Sequence, residues 1–303
     1  MNWYRKMSRT RQIGYAVLLV YIIGLVAIAV IFGVKGHKNN SFNVIEAFHL
    51  DTWFKIGPIA FNKGVLYVIL AAGITIGLML TVAHKMQERP NRTQVAIEWA
   101  YSLMRSVTRD NMSADMARKW FPLVFTLFIF ILVSNLLGYI PLPVGSAAKV
   151  NIFGVNVPSF EIYAAVTNVA FPLVLSLCVF VSFIVEGIRA HGPGGYIRSL
   201  IPAGVGGPML ILIFPLEILS NFVLRPLSLT IRLWANLLAG HLLIDFMAGD
   251  LAVLLGLPLL GWFTLPLGVV IYLFEAVLIA GLQAFIFAIL TAIYLGGATA
   301  ASH

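Results

Sequence analysis

The residues of this chain that can do chemistry are few, and they sit where charge is expensive. The apolar stretch Met209–Met247 carries Glu217, Arg225, Arg232, His241 and Asp245, with Asn221 and Asn236 among them; the next, Leu251–Leu295, carries Glu275 and Gln283. An Arg or Asp at the centre of a bilayer costs about 2.5–3.5 kcal/mol on insertion scales. Residues near a helix end escape that cost by snorkelling, and Arg225 escapes it if the helix bends at Pro226. Arg232 has apolar sequence well beyond it on both sides, and its guanidinium stays protonated even when desolvated. A fixed cation at that depth requires an anionic partner or a function. Arg232 and Asn236 are i, i+4, as are His241 and Asp245, so each pair shares a helix face. Ala235, Ala239 and Gly240 are small enough to admit a second helix. A polar stripe on an otherwise apolar helix suits ion conduction, and the spacing by itself implies no more than that.

The elements that must position these residues are membrane helices. Hydrophobic residues make up 60% of the chain, charged residues 11%, and the mean hydropathy is +0.94. A soluble domain is roughly a quarter charged, and no soluble fold of this length hides so much apolar surface. Apolar stretches run over Ile13–Val34, Gly64–His84, Phe121–Ile140 and Ile162–Val185, ahead of the two long ones already named. The first four have the ~20-residue length that spans a ~30 Å hydrocarbon core. The last two, at about 40 residues each, approach 60 Å if helical throughout. Each is therefore a broken pair of helices or one long, tilted helix, and the sequence leaves both open. The expected architecture is all-α and polytopic: about six membrane-embedded segments, the last two a long tilted hairpin. Residues 1–63 form an anchor and external loop, 64–120 a transmembrane helix and surface helix, and 121–303 the core that carries the site.

The net charge of +8 does not point to nucleic acid, because the basic residues lie mainly between apolar runs, where they orient helices. The first run follows Arg5, Lys6, Arg9 and Arg11; it is too long for a typical signal core and reads as a retained anchor. Counting positive charges places both termini in the cytoplasm, the Lys35–Lys63 loop and the loop after Ile140 outside, and the basic loop Lys85–Lys119 inside. Within that loop, Thr93–Met116 has the period of an amphipathic surface helix, with Ala96, Ala100, Leu103, Met104 and Val107 on one face and Glu98, Ser102, Arg105 and Arg109 on another. Gly192–Gly195 and Gly204–Pro208 mark the turn entering the long C-terminal pair. Cys178, the sole cysteine, lies in an apolar run and is expected to be buried.

The run from Arg225 to His241, Arg-Pro-Leu-Ser-Leu-Thr-Ile-Arg-Leu-Trp-Ala-Asn-Leu-Leu-Ala-Gly-His, resembles the signature of the F-type ATP synthase a subunit, RPxSLxxRLxxNxxAGH. Leu282–Phe287 with Leu290-Thr291 and Tyr294-Leu295 is similar to that family's final helix, and Asn135–Gly138 before Pro141 to its Asn-Leu-Leu-Gly run. The resemblance covers roughly Phe121 to Leu295. It implies a non-catalytic proton-channel subunit of a bacterial plasma-membrane complex, with a ring of c subunits, a b-type stalk, the rest of the synthase and lipid as partners. No cofactor, metal or nucleic acid is implied. Arg232 would be the stator arginine facing the ring carboxylate, blocking a direct leak between two half-channels. Asn236, His241, Glu275 and Gln283 would line the outer half-channel and Glu217 the cytoplasmic one, with Asn135 and Asp245 also on the path.

The chain departs from the family at several points. Glu217 precedes Pro226 by one residue more than in many relatives, and Glu275 precedes Gln283 by eight rather than seven. Eight residues leave the second side chain about 80° from the first on a straight α-helix, which a local bulge would correct. Gly138 stands where some relatives carry an acid. A stand-alone secondary transporter is the alternative, but it should show two corresponding halves with broken helices, and the sequence has none. An intramembrane hydrolase lacks both a His-Glu-x-x-His and a Gly-x-Ser-x-Gly motif.

Overall fold

Long apolar segments in a bilayer must satisfy their own backbone hydrogen bonds, which favours helices throughout. The computed structural model describes residues 14–15, 18–24, 26–27, 52–56, 59–86, 88, 90–143, 149–152, 155–158, 160–200, 209–247 and 258–299. Among these, five helical runs are long and apolar enough to cross a membrane: Lys63–His84, Ala114–Gly138, Ala170–Ser199, Met209–Asp245 and Pro266–Thr299. The polytopic helical architecture is therefore as expected. Three short antiparallel strand pairs accompany it, β1 (Thr52–Ile56) with β2 (Ile59–Asn62), β3 (Leu142–Pro143) with β6 (Phe160–Glu161), and β4 (Lys149–Ile152) with β5 (Val155–Pro158). The chain divides into two units, Leu50–Leu238 with Ala276–His303, and Met1–His49 with Ala239–Glu275.

In the larger unit, α1 (Lys63–His84) begins where Asn62 caps it, its Oδ1 accepting from the Val65 amide at 3.0 Å. The amphipathic helix α2 (Arg92–Asn111) buries Gln94, Ile97, Ala100, Met104, Val107 and Thr108. Ala96, expected on that face, is exposed, and Ile97 takes its place. Helix α2 also stops earlier than expected, at Asn111, because Met112 and Ser113 turn extended and a second helix, α3 (Ala114–Gly138), starts there. The polar residues Asp115, Arg118 and Lys119 in its first turns disguised that start. Lys119 Nζ donates to both carboxylate oxygens of Glu186 at 2.7 Å, tying the polar end of α3 to α4 (Ala170–Ser199).

Helix α4 begins later than the apolar run suggested: residues 163–167 are buried but irregular, ending in a 3-10 turn, Ala165–Thr167. Helical backbone breaks at Gly192, whose φ of +74° favours glycine, so the Gly-Pro-Gly-Gly run kinks the chain as expected. Cys178 is exposed on α4, contrary to the burial expected of it. In a membrane helix an apolar run marks the lipid-facing side as readily as the packed one, so hydrophobicity does not decide burial there.

Both long C-terminal stretches are single runs rather than broken pairs. The first is α5 (Met209–Leu219), a π segment (Ser220–Leu224) and α6 (Arg225–Asp245). At 37 residues it is about 55 Å long, more than an upright crossing requires. The second is α7 (Pro258–Phe274), a π segment (Glu275–Ile279) and α8 (Ala280–Thr299). Helix α8 packs against α2, α3 and α4. Its buried residues include Ala280, Ala284, Ala288 and Ala292, a four-residue repeat of small side chains that lets neighbouring backbones come close. The N-terminal basic cluster, most of the Lys35–Lys63 loop, Arg89, Gly204–Pro208 and residues 251–257 lie outside the described residues, as does half of the first apolar stretch, whose described positions are helical.

Candidate functional site

Arg232 is carried by a stretch of α6 whose opposite side is fastened in place. Leu229, Leu233 and Leu237, four residues apart, are buried in the core of the larger unit. Thr230 Oγ1 lies 2.7 Å from Ser176 Oγ on α4, and Trp234 Nε1 donates to the Thr167 carbonyl at 2.9 Å. These contacts fix the rotation of the helix, and they leave Arg232 and Asn236 exposed together, as the four-residue spacing requires. Arg232 borders a tight cleft with Leu229, Leu233, Gln283, Ile286 and Phe287. The structure therefore brings Arg232 and the buried Gln283 of α8 to one place. Among the described residues Arg232 makes no ion pair; the ion pairs described there belong to Glu186.

Arg225 is accounted for differently. Its guanidinium carbon stands 5.1 Å from the Tyr294 ring centroid and 5.9 Å from that of Phe183, so aromatic faces partner this cation inside the protein. Glu217 is half-buried on α5, and Asn221 Nδ2 donates to its carbonyl at 2.8 Å and to its Oε2 at 3.2 Å. Asn221 belongs to the π segment Ser220–Leu224, which lies between Glu217 and Pro226. A π turn holds one residue more than the α turn it replaces. The extra residue in this interval is thus absorbed locally. The second departure has the same form, because Glu275–Ile279 is a π segment inside the eight-residue interval ending at Gln283. The expected bulge is present there.

Asn135 is fully buried on α3 and donates through Nδ2 to the carbonyl of Ala280, the first residue after that π segment, at 3.1 Å. Its Oδ1 is buried with no hydrogen-bond partner among the described residues. Gly138, one turn on, packs on the Ala164 backbone so closely that an added Cβ would lie 2.8 Å from the Ala164 Cα. An acidic side chain at this position would have to displace the residues before the 3-10 turn. In the smaller unit His241 is buried, Asp245 ends α6 half-buried, and Gly240 lies against Glu275, whose Cδ would be 2.7 Å from a Cβ there. Glycine is what admits the Glu275 carboxylate. Ser176 and Thr230 escaped attention in the sequence because small hydroxyls in apolar helices usually satisfy themselves on the preceding turn.

Residues 65–296 match the family described as ATP synthase A chain. The chain is 34% identical over 267 residues to ATP synthase subunit a of Rhodopseudomonas palustris strain BisA53, covering 86% of this chain and 98% of that protein. It is 37% identical over 268 residues to ATP synthase subunit a of Bradyrhizobium diazoefficiens, with the same coverage. Over 241 residues it is 35% identical to ATP synthase subunit a of Rubrobacter xylanophilus, spanning 78% of this chain and 83% of the relative. The matched span contains Arg232 and every other candidate site residue named above, and with most of the chain matched the chain belongs to the ATP synthase A chain family.

Proposed function

We propose that Arg232 is the fixed cation of a two-half-channel proton path, and that its partner is a carboxylate supplied by a ring of c subunits. As a member of its family the chain is the non-catalytic, proton-conducting stator subunit of the membrane sector. The observation that carries the assignment of Arg232 is its position. It is a permanent cation exposed on an apolar helix, next to buried Gln283, with no ion pair among the described residues. On this reading its anion is supplied from outside the chain. A carboxylate arriving at the guanidinium is held ionised, and a proton can pass the arginine only by leaving on one side and being taken up on the other. Asn236, His241, Glu275 and Gln283 are assigned to the outer half-channel, and Asn135 and Asp245 also to the path. Glu217, oriented by Asn221, supplies the cytoplasmic half-channel. A b-type stalk and the remaining synthase subunits complete the assembly, with both termini in the cytoplasm.

The test is a disulfide cross-link in the intact complex, in a background where the exposed Cys178 is Ser. N236C should cross-link to a cysteine beside the ring carboxylate, and L237C, whose native leucine is fully buried, should not. A product with L237C and none with N236C would overturn the assignment of this face.

A further inference from the structure

The larger unit holds a second, chemically different cavity that the proton path does not use. Its volume is about 700 Å³, within the range typical of ligand sites, and it lies between α2 and the first turns of α3. Arg105 and Arg109, one turn apart on α2, and Arg118 on α3 border it, with Asp115 as the one carboxylate in its lining. The neighbouring Asp110 borders a separate cavity with Glu186 instead. Thr108, also in the wall, already spends its hydroxyl on the Met104 carbonyl at 2.6 Å. Three guanidinium groups facing one carboxylate leave an excess of positive charge that nothing in the described chain neutralises. Beside the arginines the wall becomes aromatic, where Tyr101 meets Phe121 edge-on at 4.7 Å; Tyr101 also meets Phe125, outside the lining, at 5.5 Å. These rings stand where α3 passes from its polar first turns into apolar sequence, the level of a bilayer interface.

We propose that this cavity binds the phosphodiester headgroup of an anionic phospholipid. Arginine forks match phosphate oxygens in pairs, and the rings below them suit the glycerol and the first acyl carbons. Free inorganic phosphate would use the arginines and leave the aromatic wall idle, so the lipid is the favoured source of the phosphate.

The experiment is performed on the complete synthase in nanodiscs of phosphatidylcholine with a minor fraction of phosphatidylglycerol, reading retained phosphatidylglycerol by mass spectrometry. Each charge near the surface is worth about five-fold in affinity. The R105Q/R109Q variant should therefore bind roughly 25-fold more weakly, R118Q about five-fold more weakly, and R105K/R109K, which keeps the charge but loses the paired fork, between the wild type and R105Q/R109Q. The exposed R92Q on the same helix serves as the control and should change nothing. R118Q keeps the test decisive if the double variant fails to assemble. Wild-type retention in R105Q/R109Q or R118Q would overturn the proposal. So would displacement of the lipid by excess inorganic phosphate, or loss of a protein subunit with lipid retention unchanged.

Discussion

At the scale of single residues, the site rests on the difference between a permanent charge and an adjustable one. Arginine offers a planar, delocalised guanidinium fork, whereas a lysine placed there offers a compact ammonium without it. Arg232→Lys should therefore lose most coupled transport even though the formal charge is conserved. The access residues behave differently, because water can bridge a missing polar group at a cost of ~0–2 kcal/mol. Asn236→Leu, His241→Leu and Gln283→Leu should each slow ATP-driven acidification of inverted vesicles, by a factor of up to roughly 30. Wild-type rates in all three would reduce the stripe to packing. Arg232 was legible in the sequence because a fixed charge deep in apolar sequence has no cheap explanation. Arg225 already had an excuse in the sequence, a bend at Pro226, and the structure supplies another in the nearby rings of Tyr294 and Phe183. Thr230 was not legible: its hydroxyl is 2.8 Å from the Pro226 carbonyl and also 2.7 Å from Ser176, and the second contact depends on a helix 54 positions away.

At the scale of elements, the two π segments do the positioning. Each falls in an interval that the family resemblance makes one residue too long, and a π turn there takes up a residue that would otherwise turn the next side chain by about 100°. Removing Val223 from the first segment should restore an α turn and re-aim Glu217 relative to Arg232. Transport should then fall on the order of 10²-fold, the scale of loss that misplacing a reacting group produces, while the complex still assembles. Unchanged acidification in that deletion would mean the bulge has no bearing on the path. Helix existence was legible from apolar length, and so was the need for a bulge near Glu275. Helix boundaries were less so, since α3 starts in polar sequence at Ala114 and α4 only after the irregular residues ahead of Ala170. Facing was least legible. Cys178 and Ala96 both turned out exposed, because in a bilayer the outward side of a helix is as apolar as the inward one.

At the scale of the whole molecule, five apolar runs among the described residues and a scarcity of charge suit a proton-conducting membrane subunit. If His241 is an access residue as proposed, an imidazole there suits protons better than sodium, so proton coupling should persist through a sodium titration. Sodium-stimulated ATP hydrolysis with sodium uptake that survives a protonophore would overturn the ion but not the arginine, since a fixed positive charge between two channels serves either ion. The most direct test of the central claim is ATP-driven acidification of inverted vesicles carrying Arg232→Ala, with assembly of the complex measured in the same membranes. The variant should insert and assemble normally and show no acidification; acidification at the wild-type rate would contradict the account.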